Sequence, residues 1–307
     1  MPSEAPGVLA VDKPAGLTSH DVVARVRRVL GGAKVGHAGT LDPDATGVLV
    51  VCLGPATKIS AFLMEGEKVY VGRGRLGIST DTQDASGKVL SERAVSVTEA
   101  DIRQAAERFV GKIEQVPPMF SAVKIDGHKL YRLARQGVEV ERAARPVTVH
   151  AFRIESVTLP DFSFSLRCSK GTYVRTLVHD LGEALGCGAH LVELVRAAQG
   201  GFRREDALPW AALEEADAPE AIRRASIRPE EALAFLPSCE LAASAPALRA
   251  GVLLPRDAIR SNQREGLVRL ARSDGRLAGI ARASEEGFRV LHLFAPAAGF
   301  GRPRREP

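Results

Sequence analysis

Read for hydrophobic periodicity, the chain breaks into short apolar runs and amphipathic stretches that follow no single repeat. Val8 to Val11 is a short strand, ended by Asp12-Lys13-Pro14. Thr18 or Ser19 then caps a helix carrying Val22, Val23, Val26, Val29 and Leu30 on one face, and Gly31-Gly32 stops it. Arg25, Arg27 and Arg28 fall on its other side and read as a solvated face. A polar, glycine-punctuated stretch from Lys34 runs into an unbroken apolar run, Val48 to Leu53, the pattern of a buried strand. Pro55 to Met64 predicts a helix using Ile59, Phe62 and Leu63. Lys68 to Leu76 predicts a strand in which Tyr70 faces away from Val69 and Val71. Ser79 to Gly87 reads as a loop, and Thr98 with Asp101 makes a capping box for a helix through Val110.

Beyond Pro117-Pro118 the pattern predicts a strand near Phe120 to Ile125, a turn at Asp126-Gly127, and a short helix to Gln136 closed by Gly137. A charged stretch from Val138 to Arg145 rejoins a strand at Val147. Phe162, Phe164, Leu166 and Cys168 alternate with Ser163, Ser165, Arg167 and Ser169, the period of a half-buried strand. Lys170-Gly171-Thr172 opens a helix bearing Val174, Leu177, Val178, Leu181 and Leu185, and Leu191 to Val195 follows as a strand. An apolar helical piece around Pro229 to Pro237 precedes a change of character. Residues 239–299 show short strands and turns, the pattern of a separate small β-rich domain. Residues 1–7 read as a disordered lead and 300–307 as a basic tail. Strands and helices mix without regular βαβ alternation, so the fold class is α+β.

Composition adds little to the fold and something to the partner. The 307 residues are 45% hydrophobic and 26% charged, ordinary for a soluble globular protein. A net charge of +5 and a pI near 9.2, with arginine strongly outnumbering lysine, suit a polyanionic partner. Cys52, Cys168, Cys187 and Cys239 are scattered and form no CxxC pair, which argues against structural zinc and a disulfide framework. No signal peptide opens the chain and no apolar run reaches the roughly 20 residues of a membrane span, so no membrane and a cytoplasmic location are expected.

The candidate chemistry sits in Lys34 to Val51. Asp42 precedes a proline, which biases its backbone away from helix and holds a carboxylate on a stiff loop at the edge of a core. Two look-alikes fall away. Gly72-Arg73-Gly74-Arg75-Leu76-Gly77 spells GxGxxG, but loop residues follow where a dinucleotide site needs a helix. Asp42-Pro43-Asp44-Ala45-Thr46 imitates the DxDxT of aspartyl-phosphate phosphatases, but its hydrophobic strand comes after the first aspartate instead of before it.

Five motifs occur in a familiar order. They are Asp12-Lys13-Pro14, the His37 to Gly47 stretch, Glu67-Lys68-Val69-Tyr70, Pro117 to Lys124, and Cys168 to Leu177. Over roughly residues 8–200 the chain resembles the bacterial tRNA pseudouridine-55 synthases of the TruB type, and the tail domain resembles their PUA module more weakly. The resemblance implies a mixed, largely antiparallel sheet flanked by helices, a catalytic domain over 8–236 with an RNA-gripping insertion at about 120–145, and a PUA-like RNA-binding domain at 239–299. It also implies a cofactor-free, metal-free isomerase that flips one T-loop uridine of tRNA into a pocket, working as a monomer with no protein partner.

By the same resemblance Asp42 is the catalytic carboxylate, Arg175 its cationic partner, and Tyr70 the stacking residue and proton relay. His37, Tyr173, Leu194 and Lys13 are the remaining substrate contacts, and Lys124, Lys129, Arg132 and Arg196 are the RNA-backbone contacts. The family usually carries paired arginines after Leu194, where this chain has Val195-Arg196. A tRNA-folding chaperone using the same surface, and the same isomerisation on another RNA, both stay open at this level.

Overall fold

The structure is a computed structural model that describes residues 7–294 apart from 122, 123, 126, 127, 139, 244 and 247; the side chains of 124, 125, 128, 129, 131, 132 and 135 lie outside that description. The chain opens with β1 (Gly7–Lys13) and α1 (Ser19–Val29). Thr18 caps the helix, its hydroxyl accepting from the Asp21 N–H at 3.1 Å while the Asp21 carboxylate takes the Thr18 N–H at 2.8 Å. β2 (Val35–His37) and β3 (Thr46–Leu53) follow. The helix expected from Pro55 is 3-10 over Gly54–Ile59 and α-helical only in α2 (Ser60–Leu63); the Thr57 hydroxyl donates to Gly54 O at 2.8 Å and suits the tighter turn.

β4 (Lys68–Leu76) matches its predicted bounds. The stretch read as a loop from Ser79 instead starts a hairpin of β5 (Ile78–Thr80) and β6 (Val89–Glu92), because its first polar residues pair across the turn. α3 (Glu99–Glu107) starts at the predicted Thr98 cap and ends short of Val110. Next come β7 (Gly111–Gln115), β8 (Lys124–Ile125), β9 (His128–Lys129) and α4 (Leu130–Arg135). β10 (Arg145–Thr158), β11 (Asp161–Cys168), α5 (Val174–Ala184) and β12 (Ala189–Gln199) complete the centre. β13 (Phe202–Arg203), β14 (Leu208–Pro209), α6 (Ala218–Ala225) and a short α7 (Pro229–Ala232) lead out of it.

One ten-stranded sheet runs β14-β1-β3-β12-β4-β11-β10-β7, with β13 on β12 and β2 on β3. Only β1–β14 and β3–β12 are parallel, so the sheet is mixed and largely antiparallel. The apolar periodicity of β1 and β3 shows no polar side because both faces are covered. Leu9, Val11, Leu49 and Val51 join the core beneath α1, α5 and α6. Val8, Ala10, Val48 and Val50 face a second cluster that includes Leu277 and Ile280.

Those last two residues belong to a second sheet of β15 (Ser238–Leu241), β16 (Leu253–Leu254), β17 (Ile259–Arg260), β18 (Gly266–Ala271), β19 (Leu277–Ser284) and β20 (Gly287–Leu293). Phe62 meets His292 edge-on at 5.4 Å across the junction. Thus the β-rich tail closes the back of the strand that carries the candidate loop.

The GxGxxG look-alike has a packing reason. Gly72 and Gly74 lie in β4 under the rings of Phe164 and Phe162, where an added Cβ would stand 2.6 and 2.5 Å from the Cζ atoms. Gly74→Ala should therefore lower stability by about 1–3 kcal/mol through overpacking. Urea unfolding measures it, with the midpoint falling at unchanged slope; a wild-type midpoint would contradict this account.

Candidate active site

Residues 38–45, between β2 and β3, have no regular structure, so their backbone groups must be matched one at a time. Ala38 O accepts from Gln199 Nε2. Gly39 O and Thr40 O accept from the two Nη atoms of Arg196 at 3.2 and 3.3 Å, while Arg196 Nε donates to Val48 O at 2.7 Å. Ser19 Oγ accepts the Leu41 N–H at 2.8 Å and donates to Leu41 O at 3.1 Å. Asp42 O accepts from Ala45 N at 3.2 Å, and Pro43 O from Lys13 Nζ at 2.8 Å and Gly16 N at 3.0 Å. Each carbonyl from Ala38 to Pro43 thus has a named donor. Gly47 is obligatory: its φ is +99°, and a Cβ there would lie 2.3 Å from Arg196 O.

On this loop the Asp42 side chain is 44% exposed, and its Oδ2 lies 3.1 Å from Nε of Arg175, which is 3% exposed. The carboxylate is reachable from outside while its cation comes from inside. Arg175 sits in the first turn of α5, where the helix dipole disfavours a cation. Asp42 offsets that, together with Thr82 O, which accepts from Nη1 at 3.1 Å, and Phe120 O, which accepts from Nη2 at 2.6 Å. The start of α5 is gripped by buried Gln115, whose amide accepts the Tyr173 N–H at 2.8 Å and donates to Tyr173 O at 3.1 Å. The Arg175 guanidinium carbon also lies 5.7 Å from the centre of the Tyr173 ring.

Tyr70 is buried on β4, opposite Arg196 in the ladder, and Leu194 of β12 pairs with Gly72 two residues on. Burial pushes the Tyr70 phenol up, against the pull of the Arg196 guanidinium beside it; the Asp42 charge adds a smaller upward push. His37 ends β2, opposite Val51, with its Nδ1 buried and unpaired in the described structure. Burial, then Arg196 and His20, lower its pKa and favour the neutral ring. Asp42, Arg175 and Tyr70 are therefore brought together, with Leu194 and Tyr173 adjoining them.

Two expected contacts are corrected. Arg196, expected on the RNA backbone, is 1% exposed and its guanidinium is spent on Val48, Gly39 and Thr40. Lys13, expected on the substrate, is fully buried and donates to Pro14 O, Leu17 O and Pro43 O. Both hold the loop from beneath, because an irregular buried backbone needs donors more than a surface phosphate does. Of the α1 arginines, Arg27 and Arg28 are exposed as expected, with Arg27 Nη2 also donating to Val35 O at 3.2 Å, whereas Arg25 is half-buried and its Nε donates to Leu213 O at 2.9 Å. The side chains of Lys124, Lys129 and Arg132 lie outside the described residues.

The supporting roles of Ser19, Gln115 and Gln199 escaped the sequence reading, which offered Ser19 only as an alternative helix cap. Their signal was a polar residue at the edge of an apolar element, which is also what any cap or strand end looks like.

A family model described as TruB family pseudouridylate synthase (N terminal domain) matches residues 27–174, and the tRNA pseudouridylate synthase B C-terminal domain matches 175–234. The chain is 48% identical over 284 residues to the tRNA pseudouridine synthase B of Burkholderia mallei, covering 91% of this chain and 93% of that one. It is 53% identical over 222 residues to the tRNA pseudouridine synthase B of Opitutus terrae, covering 72% and 92%. The fold is similar to a chain in the crystal structure of a Cbf5-Nop10-Gar1 complex, with a TM-score of 0.73 and 28% identity over 94% of this chain and 85% of that one.

Ser19→Ala removes both partners of the buried Leu41 backbone and should cost about 1–3 kcal/mol, read as a fall in unfolding free energy; an unchanged value would remove Ser19 from the loop's support.

Burial pulls the ammonium groups of Lys13 and Lys68 from 10.5 down to about 8, and pushes the Cys52 and Cys168 thiols from 9.0 up to about 12 and 11. Between about pH 8 and 9 the unfolded chain keeps lysine protons that the fold has shed, so stability rises with pH. Above pH 9 the unfolded thiols ionise first, so their contribution falls and offsets the lysines. Urea unfolding under reducing conditions should climb from pH 8 to 9 and then level. A stability that falls across pH 8 to 9 would contradict these buried lysines.

Proposed function

The chain belongs to the TruB family of pseudouridylate synthases, and from that premise we propose that it isomerises uridine 55 in the T-loop of tRNA to pseudouridine. Being a tRNA-modifying isomerase follows from the family; the choice of uridine and the roles below are our reading. The observation that carries it is the Asp42 carboxylate, open to solvent and paired from within to buried Arg175, with Tyr70 and Leu194 on the adjoining strands.

In this reading the T-loop uridine leaves its stack and enters between Tyr70 and Leu194. Stacking on an aromatic ring is worth about 1–3 kcal/mol and offsets part of the unstacking cost. Asp42 then acts on the nucleoside. The N1–C1′ bond breaks, a C5–C1′ bond forms, C5 loses its proton and N1 gains one, so the product is an isomer of the substrate.

Arg175 holds the Asp42 carboxylate in place through their 3.1 Å ion pair. Tyr70 enters as a neutral phenol, since burial raises it. As a relay it passes its hydroxyl proton on to water as it takes the one from C5, ending as neutral as it began, and the Arg196 guanidinium beside the hydroxyl eases that exchange. His37, neutral and with an unpaired Nδ1, is placed to meet the opened T-loop. Residues 8–236 would form the catalytic domain and 239–299 a PUA-like domain adding RNA contact. The 120–145 insertion would grip phosphates through Lys124, Lys129 and Arg132.

Asp42→Asn should abolish tritium release from C5-labelled tRNA and leave tRNA affinity within about twofold, since the swap removes charge and little volume. Mapping the modified position on the wild-type product tests the choice of uridine. Full activity of the variant would refute the role of Asp42, and modification at another position would refute the choice of uridine 55.

A further inference from the structure

Among the described residues Gln83 is the one non-glycine in the left-handed region, with φ at 65°. A side chain there strains the backbone, and glycine is the residue that takes such a turn freely. The position is nevertheless filled by a glutamine whose backbone ties the turn to the central sheet and whose side chain reaches the helix that carries Arg175. Its N–H donates to Thr80 O at 3.1 Å and its carbonyl accepts from Leu191 N, on β12, at 3.0 Å. Ala85 N donates back to Leu191 O at 2.9 Å, so the turn is fastened to the central sheet on both sides of Gln83.

The side chain carries the argument further. Gln83 Oε1 accepts from Thr176 Oγ1 at 2.6 Å, and Thr176 is 3% exposed in the first turn of α5. Its chain neighbour is Arg175, and the chain neighbour of Gln83 is Thr82, whose carbonyl accepts from Arg175 Nη1 at 3.1 Å. Two adjacent residues of the turn therefore bond two adjacent residues of the helix. One bond ends on the guanidinium that stands 3.1 Å from Asp42 and the other fixes the helix turn that carries it.

We propose that Gln83 is a positioning residue for the Asp42–Arg175 pair. Its amide locks the first turn of α5 against the 80–85 turn, so that Thr82 O and Asp42 meet the same guanidinium in one geometry. The proposal rests on the functional reading given above. A loosened bond here moves the cation relative to the carboxylate without touching the RNA-binding surface, so it affects the chemical step more than affinity. Sub-ångström misplacement of a catalytic pair costs about an order of magnitude in rate.

The test measures single-turnover pseudouridine formation on an unmodified tRNA transcript, alongside tRNA affinity by filter binding. Gln83→Gly frees the left-handed backbone of strain while removing the side chain and with it the amide. It should react about tenfold more slowly with affinity within about twofold. Thr176→Val removes the other end of the bond and should lose a similar factor. The double variant should be no slower than either single one, because both act through one bond.

A Gln83→Gly rate equal to wild type, a loss confined to affinity, or losses that multiply in the double variant would each overturn the proposal. Melting temperatures identify a variant lost to unfolding, and Gln83→Gly then decides alone. The wild-type protein and Asp42→Asn on the same transcript report on the functional reading. An inactive wild type refutes that reading, whereas a fast Gln83→Gly beside an inactive Asp42→Asn counts against Gln83 alone.

Discussion

The constraint behind the rest of the site is that the loop carrying Asp42 is irregular and yet lies over a buried sheet. A segment without ladder bonds must find an outside donor for each carbonyl or leave it unpaired at a cost of about 1–3 kcal/mol. Here the donors are Arg196, Gln199, Ser19, Lys13 and two backbone N–H groups. The side-chain donors come from β12, α1 and β1, so the loop's shape is dictated by three elements that are themselves fixed in the cores. That is why Asp42 can be half exposed without being loose.

The same requirement decides the electrostatics. Lys13, Lys68, Arg175 and Arg196 are all buried; Arg175 pairs with Asp42, while the charges of Asp44 and Glu65 reach Lys13 and Lys68. Lys13, Lys68 and Arg196 are solvated by backbone carbonyls instead of carboxylates. Carbonyl dipoles stabilise a cation but do not neutralise it, so these interior charges keep a field that long-range electrostatics can feel. The field also reaches Tyr70, where it works against the effect of burial on the phenol.

Elements with strong periodicity were legible in the sequence. The alternation of Phe162 to Cys168 and the strand from Lys68 to Leu76 stand within their predicted bounds, and the Thr18 and Thr98 caps open the helices they were expected to open. The 3-10 turn after Gly54 and the hairpin after Leu76 were not legible, because their identity depends on local hydrogen bonds that composition does not encode. Asp42, Arg175 and Tyr70 came together as the order of motifs implied, although periodicity alone could not have joined a loop, a helix turn and a strand so far apart in the chain. Gln83 gave no sequence signal at all, since its conformation is imposed by Leu191 and Thr176, distant residues brought to it by the fold.

Arg196 and Lys13 are the instructive errors. A basic residue beside an RNA-modifying motif invites a phosphate, and the net charge of +5 encourages that reading. Yet part of that charge is interior and serves as scaffolding, so the formal balance overstates how basic the outer surface is. Burial separates the two uses of a cation. A cation buried with its donors on core carbonyls is out of reach of a phosphate, and replacing it would first disorder Asp42 and only then alter RNA affinity. Phosphate contact must therefore come from cations that keep free donors at the surface. The basic residues of the 120–145 segment are the ones the family resemblance points to for that task, while the interior cations hold the backbone of the Asp42 loop.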